Sequence, residues 1–251
     1  MNIGILLAGH TNEKMSAQHD DYGHLFKKLF ASSHLYENFK FSVLPVVDGV
    51  FPESINQFDG FLITGSAYGV YDDAPFIKEL LTLVKNIYLK KKALAGICFG
   101  HQIIAEALGG HAKKWPGGWT IGNMNLNFFN QPDSFRNQME TATLIHVHQD
   151  QVVSLPPGAK LIASTKFCKN AGFVIDNQVL ALQGHPEFKA DYAAALFRIL
   201  ETQVGSQIVE KAIQSLVKSN DGIEFGHDIL SFFETYHKCK NHKVTLESKN
   251  A

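Results

Sequence analysis

The sequence predicts an α/β protein with a mostly parallel sheet and a helical C-terminal extension. Two observations lead there. Short, nearly continuous apolar runs alternate with helical stretches up to about residue 190, and strands apolar on both faces belong in a sheet covered by helices on both sides. From about Lys189 the pattern turns helical and stays so to about Tyr236. Composition sets the frame: 251 residues, 45% apolar and 19% charged, with 23 Lys plus Arg against 24 Asp plus Glu. A chain of this length buries roughly three quarters of its unfolded surface without a disulfide or metal staple. Its 19 Phe exclude a largely disordered chain. The even charge balance argues against a dedicated nucleic-acid binder, which carries a basic excess.

The elements follow in order. Ile3 to Ala8 reads as a buried strand; it has no basic segment before it and is too short for a signal sequence. His24 to Leu29 carries helical spacing, and Phe41 to Val47 and Phe61 to Thr64 are the next strands. Pro75 to Leu89 is a helix whose start is marked by Asp72-Asp73-Ala74 and by proline at the first turn. Ala93 to Ile97 is a strand, followed by a helix that stops at Gly109-Gly110. Trp119 to Phe129, Leu144 to Val147 and Lys160 to Ser164 read as further strands. Phe173 to Asp176 and Val179 to Gln183 follow, with a tight turn at Asn177. The polar end, His237 to Ala251, is expected to fray. This gives one domain over residues 1–204, with residues 205–251 a helical extension packed on it. Three cysteines, Cys98, Cys168 and Cys239, are too few and odd in number for a disulfide framework. No run approaches the ~18 apolar residues of a membrane span. Both points lead to the expectation of a soluble, cytoplasmic protein.

The most informative segment is Gly96-Ile97-Cys98-Phe99-Gly100-His101-Gln102. A buried strand enters Gly-x-Cys-x-Gly and an amphipathic helix leaves it, the arrangement of a nucleophile elbow with cysteine in place of serine. The flanking glycines allow a sharp turn, and the helix N-terminus favours a thiolate. The Phe99 N–H lies beside the sulfur, where it can face an oxyanion. A thiolate nucleophile requires a histidine base, and the base an orienting group. Of 12 histidines, His185 stands out in Gly184-His185-Pro186-Glu187 after a strand. A carboxylate two positions on can point the same way in extended chain, and Pro186 favours that geometry. The alternatives are a buried inert cysteine and a surface turn.

At these residues the sequence resembles the class I glutamine amidotransferase family. Two further segments agree: Leu62-Ile63-Thr64-Gly65-Ser66-Ala67, at the place of the family's oxyanion loop, and His146-Val147-His148-Gln149-Asp150-Gln151-Val152, similar to its His-x-Asp segment. Through the run His148 to Ala159 the chain looks most like the stand-alone branch that includes γ-glutamyl peptidases. The resemblance implies a flavodoxin-like three-layer αβα sandwich and a catalytic set of Cys98, His185 and Glu187. It also implies an oxyanion and substrate pocket of Gly65, Ser66, Phe99, Gln102, His148 and Asp150. The implied reaction is hydrolysis of a γ-glutamyl amide bond, in glutamine or a γ-glutamyl peptide, through a thioester on Cys98, with no metal or organic cofactor. The loop departs from the family's frequent Gly-Gly-Pro at Ser66-Ala67, which bears on pocket shape.

Other readings stay open. The chain can be a glutaminase subunit passing ammonia to a separate synthase, as in GMP synthesis, or a non-catalytic binding or stress protein of the same fold. Roughly 60 residues follow Glu187, too few for an ATP-using synthase. No Gly-x-x-x-x-Gly-Lys-Ser/Thr loop occurs: Gly60 to Gly65 has the spacing, but Ser66 stands in place of lysine. His146 and His148 could bind a metal but lack a third ligand at suitable spacing. Lys90-Lys91-Lys92 and Lys113-Lys114-Trp115 read as solvated faces, with Trp115 to Gly122 a candidate lid. Cys168 reads as structural. The apolar face of Gln207 to Val217 packs on the core, on a second copy in a homodimer, or on a synthase.

Overall fold

The computed structural model describes residues 1–135 and 138–249. Its strands are β1 (Asn2–Leu6), β2 (Lys40–Leu44), β3 (Gly60–Ile63), β4 (Ala93–Ile97), β5 (His111–Lys114), β6 (Thr120–Phe128), β7 (Thr141–His148), β8 (Asp150–Ser154), β9 (Ala159–Ser164), β10 (Gly172–Ile175) and β11 (Val179–Leu182). Its helices are α1 (Tyr22–Ala31), α2 (Pro75–Leu89), α3 (Phe99–Ala107), α4 (Ala190–Ile199), α5 (Glu201–Val204), α6 (Ser206–Ser215) and α7 (Gly222–Lys249).

Nine strands form one sheet in the order β2-β1-β3-β4-β11-β10-β9-β6-β7, and β5 pairs with β8 in a separate ribbon. From β2 to β11 neighbouring strands run parallel; from β11 to β7 they alternate antiparallel. Connection length explains the change. Helical crossovers through α1 and α2 bring β2 and β4 back parallel, whereas the short link between β10 and β11 permits only a hairpin. Asp176 in that hairpin takes φ 49°, and Gln178 N–H donates to Ile175 O at 3.1 Å.

The layers follow from strand alternation. Ile3, Ile5, Leu62, Ala93, Ala95 and Leu182 pack with Phe26 and Phe30 of α1 and Phe225, Ile229 and Phe233 of α7. Leu6, Phe61, Ile63, Leu94 and Ala181 face the other way, against Ile77, Leu80 and Val84 of α2 and Ile103 and Ile104 of α3. The three-layer sandwich is therefore present, with α7 a full member of one layer.

Three expectations need correction. β2 ends at Leu44, short of Val47, because Pro45 starts a short 3-10 turn at Val46–Asp48. The β5–β8 ribbon has no counterpart in the sequence reading; it takes in Lys113-Lys114, and its outer residues are exposed. α7 runs past Tyr236 to Lys249, tied down where Tyr236 Oη and Lys240 Nζ donate to Lys91 O at 3.0 and 2.9 Å. Asn250 and Ala251, at the end expected to fray, lie outside the described residues. No helix among the described residues is long and apolar enough to cross a membrane.

Candidate active site

The site begins with register. β4 and β11 pair in parallel with Ile97 opposite Leu182, so Cys98 and Gln183 leave the sheet side by side. Cys98 N–H still bonds Leu182 O at 2.8 Å. There the chain turns sharply: Cys98 holds φ 54° and ψ −102°, and α3 starts at Phe99. Such backbone costs a non-glycine residue roughly 1–3 kcal/mol and persists where the surroundings enforce it. The flanking glycines show how. A Cβ on Gly100 would stand 2.3 Å from Ile63 O, and one on Gly96 would stand 2.5 Å from Gly100 O. Gly100 N–H donates to Thr64 O at 3.2 Å, which ties the first turn of α3 to the end of β3.

His185 arrives from β11. Its N–H bonds Ile145 O at 2.8 Å, bridging the segment to β7. Its Nδ1 meets Glu187 Oε1 at 2.7 Å, and both side chains are almost wholly buried. Phe188 stacks on the imidazole, ring centres 4.1 Å apart and planes 5° from parallel, and Tyr192 packs behind it at 4.6 Å. Burial opposes a charge on His185, but Glu187 and the Cys98 sulfur outweigh it and hold the imidazole at about 10. Its Nε2 is buried and has no hydrogen bond of good geometry among the described residues; the sulfur is close enough to act on it electrostatically. The expected cysteine, histidine and glutamate are thus brought together.

Gly65 completes the wall. A Cβ there would lie 2.9 Å from His185 Cε1 and 3.8 Å from Cys98 Cβ, so only glycine lets this loop pass. Ser66 Oγ accepts from Tyr68 N–H at 3.2 Å, which shapes the loop beyond. The Phe99 N–H, first of α3, has no acceptor within the helix.

The remaining candidates are the buried Gln102 and His148 and the half-buried Asp150. Gln102 is buried, and its Nε2 donates to Asp150 O at 3.0 Å and to Gln183 Oε1 at 3.2 Å. His148 Nδ1 lies 3.0 Å from the same Asp150 carbonyl, and its Nε2 lies 3.2 Å from His146 Nδ1. A carbonyl only accepts, so His148 carries its proton on Nδ1 and His146 donates to His148 Nε2. The two histidines therefore bond each other. Burial pushes His148 down to about 3 and His146 well below its ordinary value. Among the described residues no group of three or more His, Cys, Asp or Glu gathers as a metal site. The Asp150 carboxylate accepts from Tyr71 Oη at 3.1 Å, and burial pushes its carboxyl up. Trp115 to Trp119 forms the turn between β5 and β6, and Thr120 to Gly122 already belongs to β6.

Two neighbours of the site lie outside the sequence-based set. Gln183 Nε2 lies 3.4 Å from Cys98 Sγ. Its signal in the sequence is a polar residue closing an otherwise apolar strand, Val179-Leu180-Ala181-Leu182-Gln183. Phe188 has no signal beyond standing next to Glu187.

The helix-covered mixed sheet, with a positive-φ cysteine just after a central strand and a buried histidine–carboxylate pair beside it, makes this an α/β protein with a candidate cysteine site. The chain belongs to the class I glutamine amidotransferase family: the family model "Glutamine amidotransferase class-I" matches residues 19–198. Gamma-glutamyl peptidase 2 of Arabidopsis thaliana is 31% identical over 204 residues, covering 78% of this chain and 82% of that protein. The glutamine-hydrolysing GMP synthase subunit of Sulfolobus acidocaldarius is 30% identical over 138 residues, 55% of this chain and 71% of that protein. In fold, the chain is similar to a glutamine amidotransferase from Thermotoga maritima, with TM-score 0.75, 19% identity, and coverage of 94% and 98%.

Proposed function

We propose that the protein hydrolyses γ-glutamyl amide bonds with Cys98 as nucleophile. The observation that carries this reading is the buried His185–Glu187 pair, 2.7 Å apart, set against a positive-φ cysteine at the N-terminus of α3. Likeness to γ-glutamyl peptidases supports the choice of bond.

In the resting pair, Cys98 is a thiolate and His185 an imidazolium, oriented by Glu187. The sulfur attacks the γ-carbonyl carbon. The oxyanion is held by the N–H groups of Phe99 and of Ser66 or Gly65, each donor contributing roughly 3 kcal/mol. The C–N bond breaks as His185 Nε2–H protonates the leaving amine, which leaves a γ-glutamyl thioester on Cys98. Water then attacks, giving its proton to Nε2. The C–S bond breaks, glutamate departs and the ion pair is restored. Gln102, His148 and Asp150 act here by position: the Asp150 carbonyl takes hydrogen bonds from both side chains.

The test is glutamate release by the purified protein from glutamine and from glutathione, beside Cys98→Ala. Cys98-dependent turnover of the peptide above that of glutamine is expected. No Cys98-dependent release from either overturns the proposal. A second reading, favoured by the likeness to the GMP synthase subunit, is a glutaminase serving a synthase. It predicts preference for glutamine and a rate that rises when a synthase partner is added.

A further inference from the structure

Gln183 is wholly buried at the end of an apolar strand. A buried amide must spend its donors and acceptors on fixed partners, and the partners here define a direction. Gln102 Nε2 gives one hydrogen to Asp150 O, an atom that only accepts. It gives the other to Gln183 Oε1. With its oxygen so occupied, Gln183 turns its NH2 to Cys98 Sγ at 3.4 Å. The chain of bonds thus runs from a backbone carbonyl of β8, through two glutamines, and ends with an N–H on sulfur. The neighbour opposite favours the other state: Val147 O, 4.0 Å from Sγ, can only accept from a protonated thiol.

We propose that Gln183 is a catalytic partner of Cys98: its amide, locked in one orientation by Gln102, donates to the sulfur and favours its anionic form. The inference rests on Cys98 being the nucleophile proposed above, and it adds a donor that lies outside the cysteine–histidine–glutamate set. The donor acts on the resting thiolate and again when the thioester breaks and negative charge returns to sulfur. Register sets the two residues side by side, because residue 183 follows the Leu182–Ile97 pair just as residue 98 does.

The test reads the sulfur without substrate. In the full chain carrying Cys239→Ser, which removes the exposed cysteine, the rate of iodoacetamide modification at Cys98 is followed against pH, with the modified peptide identified by mass. Gln183→Met, which keeps the side chain's length but removes its donor, should raise the half-maximal pH by about one unit, with modification slowed about tenfold at pH values below the parent's midpoint. Gln102→Met frees Gln183 to present its oxygen instead and should move the profile the same way. Profiles that superimpose on the parent while both variants stay folded overturn the proposal. Should Gln183→Met fail to fold, the parent's side-chain amide resonances decide. A Gln183 NH2 signal that shifts when Cys98 is alkylated supports the contact, and one that stays in place overturns it. A shifted alkylation profile in a protein that releases no glutamate from any γ-glutamyl compound would keep this inference and sink the hydrolase reading.

Discussion

At the scale of single residues the site is set by atoms that cannot be added. One methyl group on Gly65 would press on His185 Cε1 from 2.9 Å. The imidazole has no room to yield, because Phe188 is stacked on its ring. Gly65→Ala should therefore lower kcat about a hundredfold, an order of magnitude set by misplacement of a catalytic group, while the melting temperature falls only slightly. Steady-state kinetics beside thermal unfolding checks this, and a variant with unchanged kcat would contradict it. Glu187→Gln keeps the shape but removes the charge that helps hold His185 at about 10. The high-pH limb of the activity profile should then move to lower pH. The cysteine can be named from its flanking glycines, and the histidine and glutamate from His-Pro-Glu, because each motif is local in sequence. Gln183 cannot, because its importance depends on which strand lies beside β4, and that is a tertiary fact.

At the scale of elements, the first turn of α3 is wedged against the end of β3. Gly100→Ala would bring carbon within 2.3 Å of Ile63 O, and overpacking against backbone costs about 3 kcal/mol. Urea unfolding should show that loss with little change in m-value. Phe188 links β11 to α4 through Tyr192, so Phe188→Ala should cost about 3–5 kcal/mol and also lower kcat by releasing the imidazole. Strands β4 and β11 are legible in the sequence because both faces are buried, as is the start of α2, marked by Pro75. The β5–β8 ribbon is not. His111 to Lys114 alternates exposed polar residues with the single buried Ala112, too short a pattern to separate from loop. The end of α7 is also hidden, since its polar sequence is held through a distant carbonyl, Lys91 O.

For the molecule as a whole, buried histidines set the dependence of stability on pH. Burial pushes His101 and His148 down to about 3, and His146 well below its ordinary value. Unfolded, each takes a proton near pH 6.5. Below that pH the unfolded chain binds more protons than the folded one, so stability falls by about 1.4 kcal/mol per pH unit for each histidine. His185 acts in the opposite sense. Burial opposes its charge, yet Glu187 and Cys98 hold it at about 10, so its contribution is complete below pH 6.5 and drains away as pH rises towards 10. Stability should peak near pH 6.5 and decline on both sides. Chemical denaturation between pH 4 and 10 measures this, and a curve still climbing above pH 8 would refute it.

The strand order also governs when Cys98 meets its neighbours as the chain leaves the ribosome. Cys98 follows β4, whose two neighbours in the sheet are β3, already synthesised, and β11, which begins only at Val179. For some eighty residues of elongation the elbow has one edge open. Gln183, His185 and Glu187 then emerge together, within residues 183 to 187. On the proposed reading, the growing polypeptide carries an unarmed thiol for about ninety residues of elongation and arms it when the last central strand slides into its slot.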